Sequence, residues 1–419
     1  MNILLCGADG FLGRHLELRL TNAGHRVARG VRRPRRPGDV AIDYLRDTEP
    51  AAWLDRLEGI DAVVNAVGIL VETPAQPFTA LHEKAPQALF DACVLTGIDR
   101  VVQISALGAD RPTTPYLATK AAADAHLARL PLQWAVVRPS LVYGDDGASS
   151  RFLRSLASLP VIGLPGRGEQ MLQPIHVDDL CDCVLALVAT PGRRIVELGG
   201  PRALSYRQLL ATYRRALGFD KALWLPIPMA LMNAAARVAE RLGQRVLSRD
   251  TMAMLARGNV SARRDAAMLL GHAPRDPDDF IAPDRRRALR AESVSAWGMP
   301  LLRVALAMVW CAAGALSLWF YPRPQSLALL SAVGLSGAPA FIALYAASTL
   351  DLALALLTLA WPSRLLWLSQ ALLICCYSVV IAAALPEFWL HPFGPLVKNL
   401  PLLAMLTVLF AMEDPKWTT

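Results

Sequence analysis

The chain has 419 residues, seven cysteines and a formal net charge of +8, and 54% of its residues are hydrophobic. That length is too great for one ordinary domain, and the mean hydropathy of +0.34 exceeds that of most soluble proteins. The basic residues are scattered and form no nucleic-acid recognition motif, so we exclude nucleic acid as a partner. The cysteines lack CxxC spacing, so we expect reduced thiols and no metal site.

The N-terminal stretch MNILLCGADGFLG is typical of a nucleotide-binding turn. Residues 3–6 predict a buried strand, Gly7, Gly10 and Gly13 follow with GxxGxxG spacing, and an apolar helical pattern comes next. Such glycines permit a tight turn, close approach of the backbone to a pyrophosphate and packing of helix on strand, while the helix N-terminus favours phosphate. Between a strand and a helix, this pattern strongly indicates a dinucleotide site.

The second strand, in HRVARGVRRP, ends in Arg32 and Arg33, where an NAD site usually has an acidic residue. A guanidinium suits a 2′-phosphate by charge and fork geometry. We therefore predict NADP(H) as the preferred cofactor, with NAD(H) as the other option. The alternative is that both arginines are simply solvated.

Further buried strands are predicted at residues 61–68, 100–105 and 134–139, with helical stretches between them. This alternation indicates an α/β fold with a doubly wound parallel sheet of the Rossmann type. Its ligand is expected at the carboxyl ends of the strands.

The stretch YLATK places Tyr116 and Lys120 one helical turn apart on one face. In a hydride-transfer site, lysine lowers the tyrosine pKa and holds the nicotinamide ribose, and tyrosine exchanges a proton with the substrate oxygen. The preceding strand ends in Ser105. The pair is either catalytic or two polar residues on a helix face.

Together GADGFLG, VRRP, NAVGI, ISALGAD, YLATK, VVRPSLVYG and QPIHVDDL resemble the extended and atypical short-chain dehydrogenase/reductases, an epimerase-like group. The branch most similar is that of the dehydrogenase-like accessory subunit of mitochondrial complex I and its bacterial relatives. The resemblance covers residues 1–218, and more loosely extends to 282. It implies a Rossmann NAD(P)-binding domain and leaves the reaction open.

The resemblance also implies roles for single residues. Arg32 would contact the adenosine phosphate, Asp43 would lie near adenine, and Tyr116 and Lys120 would be the catalytic pair. Ser105 is either the third catalytic residue or a cofactor contact, because the family serine usually lies farther ahead of the tyrosine. The implied cofactor contacts are Gly7, Asp9, Gly10, Phe11, Leu12, Gly13, Arg32, Asp43, Ala66, Gly68, Lys120 and Arg138.

Near residues 173–179, His176 is interpreted as a structural polar residue close to the cofactor, with a proton donor as the alternative. Asp178 and Asp179 are expected to cap an apolar helix at 180–187, and no metal is assigned to them.

Residues 219–295 are predicted to be a helical extension of the substrate lobe followed by a linker. Leu231, Ala235, Val238 and Leu242 form an apolar stripe, which we expect to pack on its own domain, with contact to a membrane surface as a secondary role. The proline-rich segment at 274–284 is the predicted linker.

The third domain, residues 296–419, is predicted to be a multi-pass membrane domain, since only nine charged residues follow Pro300. Four spans are expected at about 304–321, 340–361, 365–385 and 396–412. Residues 325–338 are either a re-entrant piece or part of the second helix. No signal peptide precedes the first strand, and the arginine-rich stretch before the first span faces the cytoplasm by charge bias. The expected location is a bacterial-type inner membrane with the nucleotide domain and both termini cytoplasmic.

This half resembles the DoxX-like membrane family, through HPFGPLVKNLPLLAMLTVLFAMED and the Leu-Asp-Leu of the second span. The resemblance implies a four-helix module associated with quinone or thiol redox. Asp351 is the notable residue, because a carboxylate inside a membrane is costly. Its expected partners are His391 and Lys398, or Ser378 and Gln370 on a neighbouring helix.

Two hypotheses follow. The first is a membrane-anchored NADP(H)-dependent oxidoreductase acting on an apolar, membrane-dissolved substrate such as a quinone or isoprenoid lipid. The second is a non-catalytic nucleotide-binding scaffold or assembly factor for a respiratory or other membrane protein complex. A nucleotide-sugar epimerase or dehydratase is a third and weaker option, because no uridine-binding signature is evident.

Overall fold

The computed structural model describes residues 1–241, 248–390 and 394–413, and it divides into two compact units, Met1–Ser293 and Val294–Thr419. In the N-terminal unit the strands are β1 (Asn2–Cys6), β2 (Arg26–Val31), β3 (Val40–Ala41), β4 (Ala62–Asn65), β5 (Arg100–Ile104), β6 (Gln133–Pro139), β7 (Val142–Tyr143), β8 (Val161–Pro165), β9 (Met171–Leu172), β10 (Ile175–His176), β11 (Arg194–Leu198), β12 (Leu204–Ser205) and β13 (Leu223–Ile227).

The helices of this unit alternate with the strands. They are α1 (Phe11–Asn22), α2 (Ala85–Thr96), α3 (Pro115–Arg129), α4 (Ala148–Ser158), α5 (Val177–Ala189), α6 (Tyr206–Ala216), α7 (Met229–Arg241), α8 (Arg249–Arg257) and α9 (Asp265–Leu270). A π-helical turn, Thr79–Lys84, leads into α2.

A parallel sheet of seven strands, in the order β11-β6-β5-β4-β1-β2-β3, organises the unit. Its central strands are apolar and buried on both faces, as parallel strands between helical layers must be. Leu16, Leu20 and Leu180 pack on one face, and Phe90 and Leu127 pack on the other. The doubly wound parallel sheet predicted from the sequence is confirmed, and the strand order reverses between β1 and β4.

A smaller lobe is built from short strand pairs, β10 with β7, β12 with β9 and β13 with β8. Its core contains a group of aromatic rings around Tyr143. The centroid of the Tyr143 ring lies 4.9 Å from that of Phe280, on which it stacks, and 5.4 Å from that of Tyr213. Phe280 and Ile281 belong to the predicted linker, yet both are buried in this core. The segment is therefore packed on the N-terminal unit, because its apolar residues outweigh its proline-rich, polar composition.

The apolar stripe on α7 also differs from expectation. Leu231 is 61% exposed, Val238 is 56% exposed and Ala235 is exposed as well. The expected packing on its own domain is wrong, because α7 meets α8 through a different side. Leu242 lies outside the described residues.

The C-terminal unit is helical. Its helices are α10 (Arg286–Ala315, which begins in the N-terminal unit), α11 (Arg323–Ala332), α12 (Ala338–Ala360), α13 (Arg364–Ala384), α14 (Glu387–Leu390) and α15 (Asn399–Met412). Within the described residues, three apolar helices are long enough to cross a membrane: Arg286–Phe320, Ala338–Ala360 and Arg364–Ala384. The fourth predicted span corresponds to α15, whose 14 residues fall short of the ~20 that a span needs. Residues 325–338 lie mostly in α11, a separate short helix.

Candidate nucleotide site and its surroundings

The glycine turn after β1 has the geometry that a dinucleotide pyrophosphate requires. Gly7 has a φ of +83°, and its carbonyl accepts a hydrogen bond of 2.9 Å from the N–H of Gly10. A Cβ on Gly13 would lie 2.1 Å from the carbonyl oxygen of Gly7, so only glycine lets α1 pack this closely on the turn. The tight turn at Gly7 and the close packing at Gly13 are therefore present, and the pyrophosphate contact stays a prediction.

The first turn of α1 is open to an anion. Gly10 occupies the N-cap position without any side-chain cap, and no acidic side chain lies in the first turn. Phe11 and Leu12 begin the helix, and the ring of Phe11 fills the space next to Gly144. Asp9 points to another partner, because its carboxylate binds Arg29 at 2.6 Å. Backbone N–H groups and the helix dipole, rather than side chains, are left for phosphate.

Two arginines near the end of β2 differ sharply. Arg29 is buried and paired with Asp9, Glu17 and Asp39, at 2.6, 2.9 and 2.7 Å. Arg32 is exposed and forms no ion pair with any described residue. Asp39 also accepts backbone hydrogen bonds after β2, so its carboxylate is fully engaged.

Asp43, predicted to lie near adenine, follows β3 and is partly buried. One of its oxygens accepts the N–H of Leu45 at 3.1 Å, and the other lies 3.7 Å from Arg46. Asp43 therefore stabilises its own turn while remaining at the edge of the sheet near β2.

The loop after β4 runs past Lys120, one member of the predicted catalytic pair. Ala66 is fixed by a hydrogen bond from its N–H to the carbonyl of Cys6 on β1, at 3.0 Å. A Cβ on Gly68 would lie only 3.3 Å from the ammonium of Lys120. The structure thus brings Gly68 and Lys120, 52 positions apart in sequence, to the switch point of the sheet.

Lys120 is almost fully buried on α3. Its ammonium donates to the carbonyls of Val67 and Ile104, at 3.1 and 3.0 Å. Burial lowers the pKa of Lys120 to about 8, against the opposing effect of Asp124. Two of its three N–H donors are used by the protein, and one remains.

Tyr116 lies one turn before Lys120 and is 8% exposed. Its ring packs with Phe78 and Leu117, next to Ile69 and Met254. Burial raises the pKa of Tyr116 to about 12, so the expected lowering by lysine is not observed. The hydroxyl makes no hydrogen bond within the part of the chain that the structure describes, and apart from His82 the ring packs among apolar side chains.

Ser105 is turned away from this role. Its hydroxyl donates to the buried carboxylate of Asp124 at 2.7 Å, and Arg138 donates to the same oxygen at 3.3 Å. Burial raises the pKa of Asp124, although Ser105 and Arg138 act in the opposite direction. Ser105 and Arg138, one predicted as catalytic and both as possible cofactor contacts, therefore meet in one internal network.

His82 is a residue of this site that no sequence motif marks. It is fully buried in the π-helical turn, stacks on Phe78 at 5.1 Å, and meets the ring of Tyr116 edge-on at 5.4 Å. Its Nε2 accepts the N–H of Ile69 at 3.1 Å, and burial lowers its pKa to about 2. A neutral His82 therefore connects the loop after β4, through its hydrogen bond to Ile69, with the ring of Tyr116.

Helix α8 also reaches the site. Met254 packs near Tyr116, and the guanidinium of Arg257 donates to the carbonyl of Arg111 at 2.5 Å. Arg257 thereby holds the loop that leads into α3. The contribution of α8 was not predicted, because it depends on contacts across more than 130 positions.

His176 has a structural role. Its Nδ1 accepts the N–H of Asp178 at 3.2 Å, so His176 itself caps α5. Asp178 and Asp179 lie in the first turn rather than at the cap position, and Asp179 accepts the N–H of Arg275 at 2.7 Å.

In the C-terminal unit Asp351 is 8% exposed on α12, and its Oδ1 is buried without a partner. None of its expected partners binds it among the described residues. Gln370 bonds instead with Trp310 and Thr358, and Ser378 accepts from Asn399. His391 lies outside the described residues.

Two family models match this chain. Residues 3–199 match the NAD dependent epimerase/dehydratase family, and residues 307–407 match the DoxX-like family. The chain therefore combines an NAD-binding domain of the epimerase and short-chain dehydrogenase type with a DoxX-like domain. The first of these is an oxidoreductase-type domain for a nicotinamide cofactor, and the second is associated with a membrane.

Two curated relatives are similar over the N-terminal part. A ceramide reductase of Caulobacter vibrioides is 29% identical over 214 residues, which are 49% of this chain and 66% of the relative. Subunit 9 of the NADH dehydrogenase [ubiquinone] 1 alpha subcomplex, mitochondrial, of Arabidopsis thaliana is 30% identical over 253 residues, or 55% and 62% of the two chains. The chain thus spans less than two thirds of either relative.

Solved structures share the fold at low identity. A nucleoside-diphosphate-sugar epimerase of Staphylococcus aureus superposes with a TM-score of 0.55 at 21% identity, covering 67% of this chain and 99% of that one. MoeE5 in complex with UDP-glucuronic acid and NAD gives 0.52 at 21% identity, covering 69% and 99%. These likenesses concern the architecture of the sheet and its lobe.

Proposed function

We propose that the protein is a membrane-anchored, NADP(H)-dependent reductase of an apolar, membrane-dissolved substrate. The observation that carries the proposal is the apolar setting of Tyr116 beside the buried ammonium of Lys120. Phe78, Ile69 and Met254 would repel a sugar and accept an alkyl or isoprenoid chain. The Caulobacter ceramide reductase supports a lipid over a nucleotide sugar.

Tyr116 would be the proton donor. With a pKa of about 12 it stays protonated at neutral pH, as reduction of a carbonyl requires. A reduced nicotinamide, when bound, supplies the hydride to the carbonyl carbon. The proton of the Tyr116 hydroxyl passes to the carbonyl oxygen, which becomes an alcohol.

Lys120 would position the cofactor. Two of its N–H donors hold the strand ends after β4 and β5, and the third is left for a ribose hydroxyl. The unpaired Arg32 would bind the 2′-phosphate of NADP(H), since Asp39, the nearest acid after β2, is bound to Arg29. The nucleotide domain would face the cytoplasm of a bacterial-type inner membrane.

A second candidate, a nucleotide-binding scaffold of a membrane complex, is favoured by one observation. The hydroxyl of Ser105 is bound to Asp124 and is not available to assist Tyr116. The similarity to a mitochondrial NADH dehydrogenase subunit supports the same candidate.

The test is NADPH oxidation by the purified chain in lipid nanodiscs, with a long-chain keto lipid or a quinone as acceptor. We expect turnover that falls about 10²- to 10⁴-fold in Tyr116→Phe, with NADPH affinity unchanged. Tyr143→Phe, on β7, is the matched control. Tight NADPH binding without turnover in any variant would contradict the reductase function and support the scaffold function.

A further inference from the structure

The outer stripe of α7, formed by Leu231, Ala235 and Val238, has no partner among the described residues of the N-terminal unit. These positions are spaced by four and three residues, so they share one side of the helix. Leu231 and Val238 are more than half exposed. Single exposed apolar side chains are ordinary, but a continuous stripe marks a binding surface.

The other side of α7 is already occupied. Met229, Asn233 and Arg237 line a groove of about 240 Å³ between α7 and α8, opposite Met252 and Ala256. Ala236 is fully buried. Because α7 packs on α8 through this side, the outer stripe on the opposite side stays exposed.

The charges around the stripe are positive. Arg237 and Arg241 are exposed and form no ion pair with the residues that the structure describes. The carboxylate of Glu240, also on α7, is bound to Arg249 through its backbone N–H at 2.6 Å and its guanidinium at 3.2 Å. By helical spacing both arginines lie on one flank of α7, with Arg237 at the groove and Arg241 nearer the stripe. An apolar stripe flanked by unpaired cations matches an anionic bilayer surface. A second copy would bring the same positive charge and be repelled.

We propose that α7 docks on an anionic bilayer, with Leu231, Ala235 and Val238 inserted at the headgroup boundary and Arg237 and Arg241 at lipid phosphates. The inference rests on the membrane location in the proposed function. It also gives a route for substrate, because the next helix, α8, carries Met254 to the side of Tyr116.

The experiment uses the full chain with Cys311, Cys375 and Cys376, which are exposed, changed to alanine. The other four cysteines are buried. Single cysteines at Leu231 or Val238 are labelled with an environment-sensitive fluorophore, and the protein is placed in nanodiscs containing phosphatidylglycerol and doxyl-labelled lipid. Leu95→Cys, on α2 and 68% exposed, is the control for an aqueous position. A chain that retains only Cys375 of the three is the control for lipid.

We expect labels at 231 and 238 to be blue-shifted and quenched by doxyl lipid, with the label at 95 unaffected. Changing Arg237→Gln and Arg241→Gln should weaken docking about fivefold per arginine in anionic nanodiscs and leave it unchanged in neutral ones. Arg26→Gln is the matched control for lost charge.

Three results would overturn the inference. If the label on Cys375 is quenched while those at 231 and 238 behave like that at 95, docking fails and the membrane location stands. A blue shift without quenching would mean that the stripe is covered by protein. If the label on Cys375 is not quenched, docking and the membrane location both fail.

Discussion

The two units differ in whether their buried carboxylates are paired with a cation. Of the aspartates buried among the described residues, Asp47, Asp124 and Asp179 lie in the N-terminal unit and Asp351 lies in the C-terminal unit. Each of the first three contacts an arginine: Arg56, Arg138 and Arg275, respectively. Asp351 contacts no cation in the described ranges.

The difference reflects which arginines can reach a buried carboxylate in each unit. A buried charge is tolerated only when it is paired and hydrogen-bonded. The N-terminal unit supplies an arginine to each of its three, from a strand in the case of Arg138 and from the segments between strands for the other two. In the C-terminal unit two of the three arginines are bound to Glu413. Arg303 binds Glu413 at 2.7 Å, and Arg364 donates to the Glu413 carbonyl at 2.8 Å. An ionisable group left over inside an apolar helix marks a site of function more often than one of stability.

The largest effect is expected for Arg138→Met, which breaks one pair of the comparison. Asp124 would then be buried without its cation, at a cost of about 3–5 kcal/mol. Hydrogen exchange of the amides in β5 and β6, without cofactor, measures the lost protection. The double variant Asp124→Asn with Arg138→Met should recover most of it. Equal losses in the single and double variants would show that the pair does not stabilise this sheet.

The next largest effect is expected for Arg32, a cation that forms no ion pair with the described residues. Arg32→Ser should weaken NADPH binding about ten- to hundredfold, since a charge-assisted hydrogen bond contributes roughly 1.5–3 kcal/mol, and it should leave NADH binding unchanged. Titration calorimetry with both cofactors measures this. Arg26→Ser, at the exposed start of β2, is the control. An equal loss of affinity for NADPH and NADH would show that Arg32 does not bind the 2′-phosphate.

Much of the nucleotide fold could be predicted because its signals are local. The glycine turn, the buried strands and the helical spacing of Tyr116 and Lys120 each occupy a few adjacent residues. Patterns of this kind determine which element forms and which side is buried.

What could not be predicted depends on partners far apart in sequence. Ser105 is predicted to be either a catalytic residue or a cofactor contact, but its hydroxyl donates to Asp124, 19 positions away. His82 has no motif, and its importance depends on packing against Phe78 and Tyr116. The stripe on α7 has the periodicity of a core helix, and periodicity alone cannot say whether a neighbour arrives to cover it.

A smaller effect is expected from the pH dependence of cofactor binding. Burial lowers the pKa of Lys120 to about 8, so its ammonium is present below that pH and is lost as the pH rises through it. NADH affinity should fall about fivefold between pH 7 and 9.5, the difference of ~1 kcal/mol between charged and neutral hydrogen bonds. NADH avoids titration of the 2′-phosphate. Lys120→Met should bind weakly at all these pH values, and a parallel fall in that variant would assign the titration to another group.

The smallest effect on stability is expected for Asp351→Asn. The amide has the shape of the carboxylate and no charge to bury, so the thermal stability of the detergent-solubilised chain should change by less than about 1 kcal/mol.

Gln370→Leu is the matched control for Asp351→Asn, because it leaves Trp310 and Thr358 without their hydrogen bonds and should cost about 1–3 kcal/mol. If Asp351→Asn destabilises as much as this control, the carboxylate has a partner and the contrast between the units fails. If stability is kept while turnover with a membrane-dissolved acceptor falls, Asp351 serves the reaction, since a carboxylate that contributes nothing to folding is retained for what it binds.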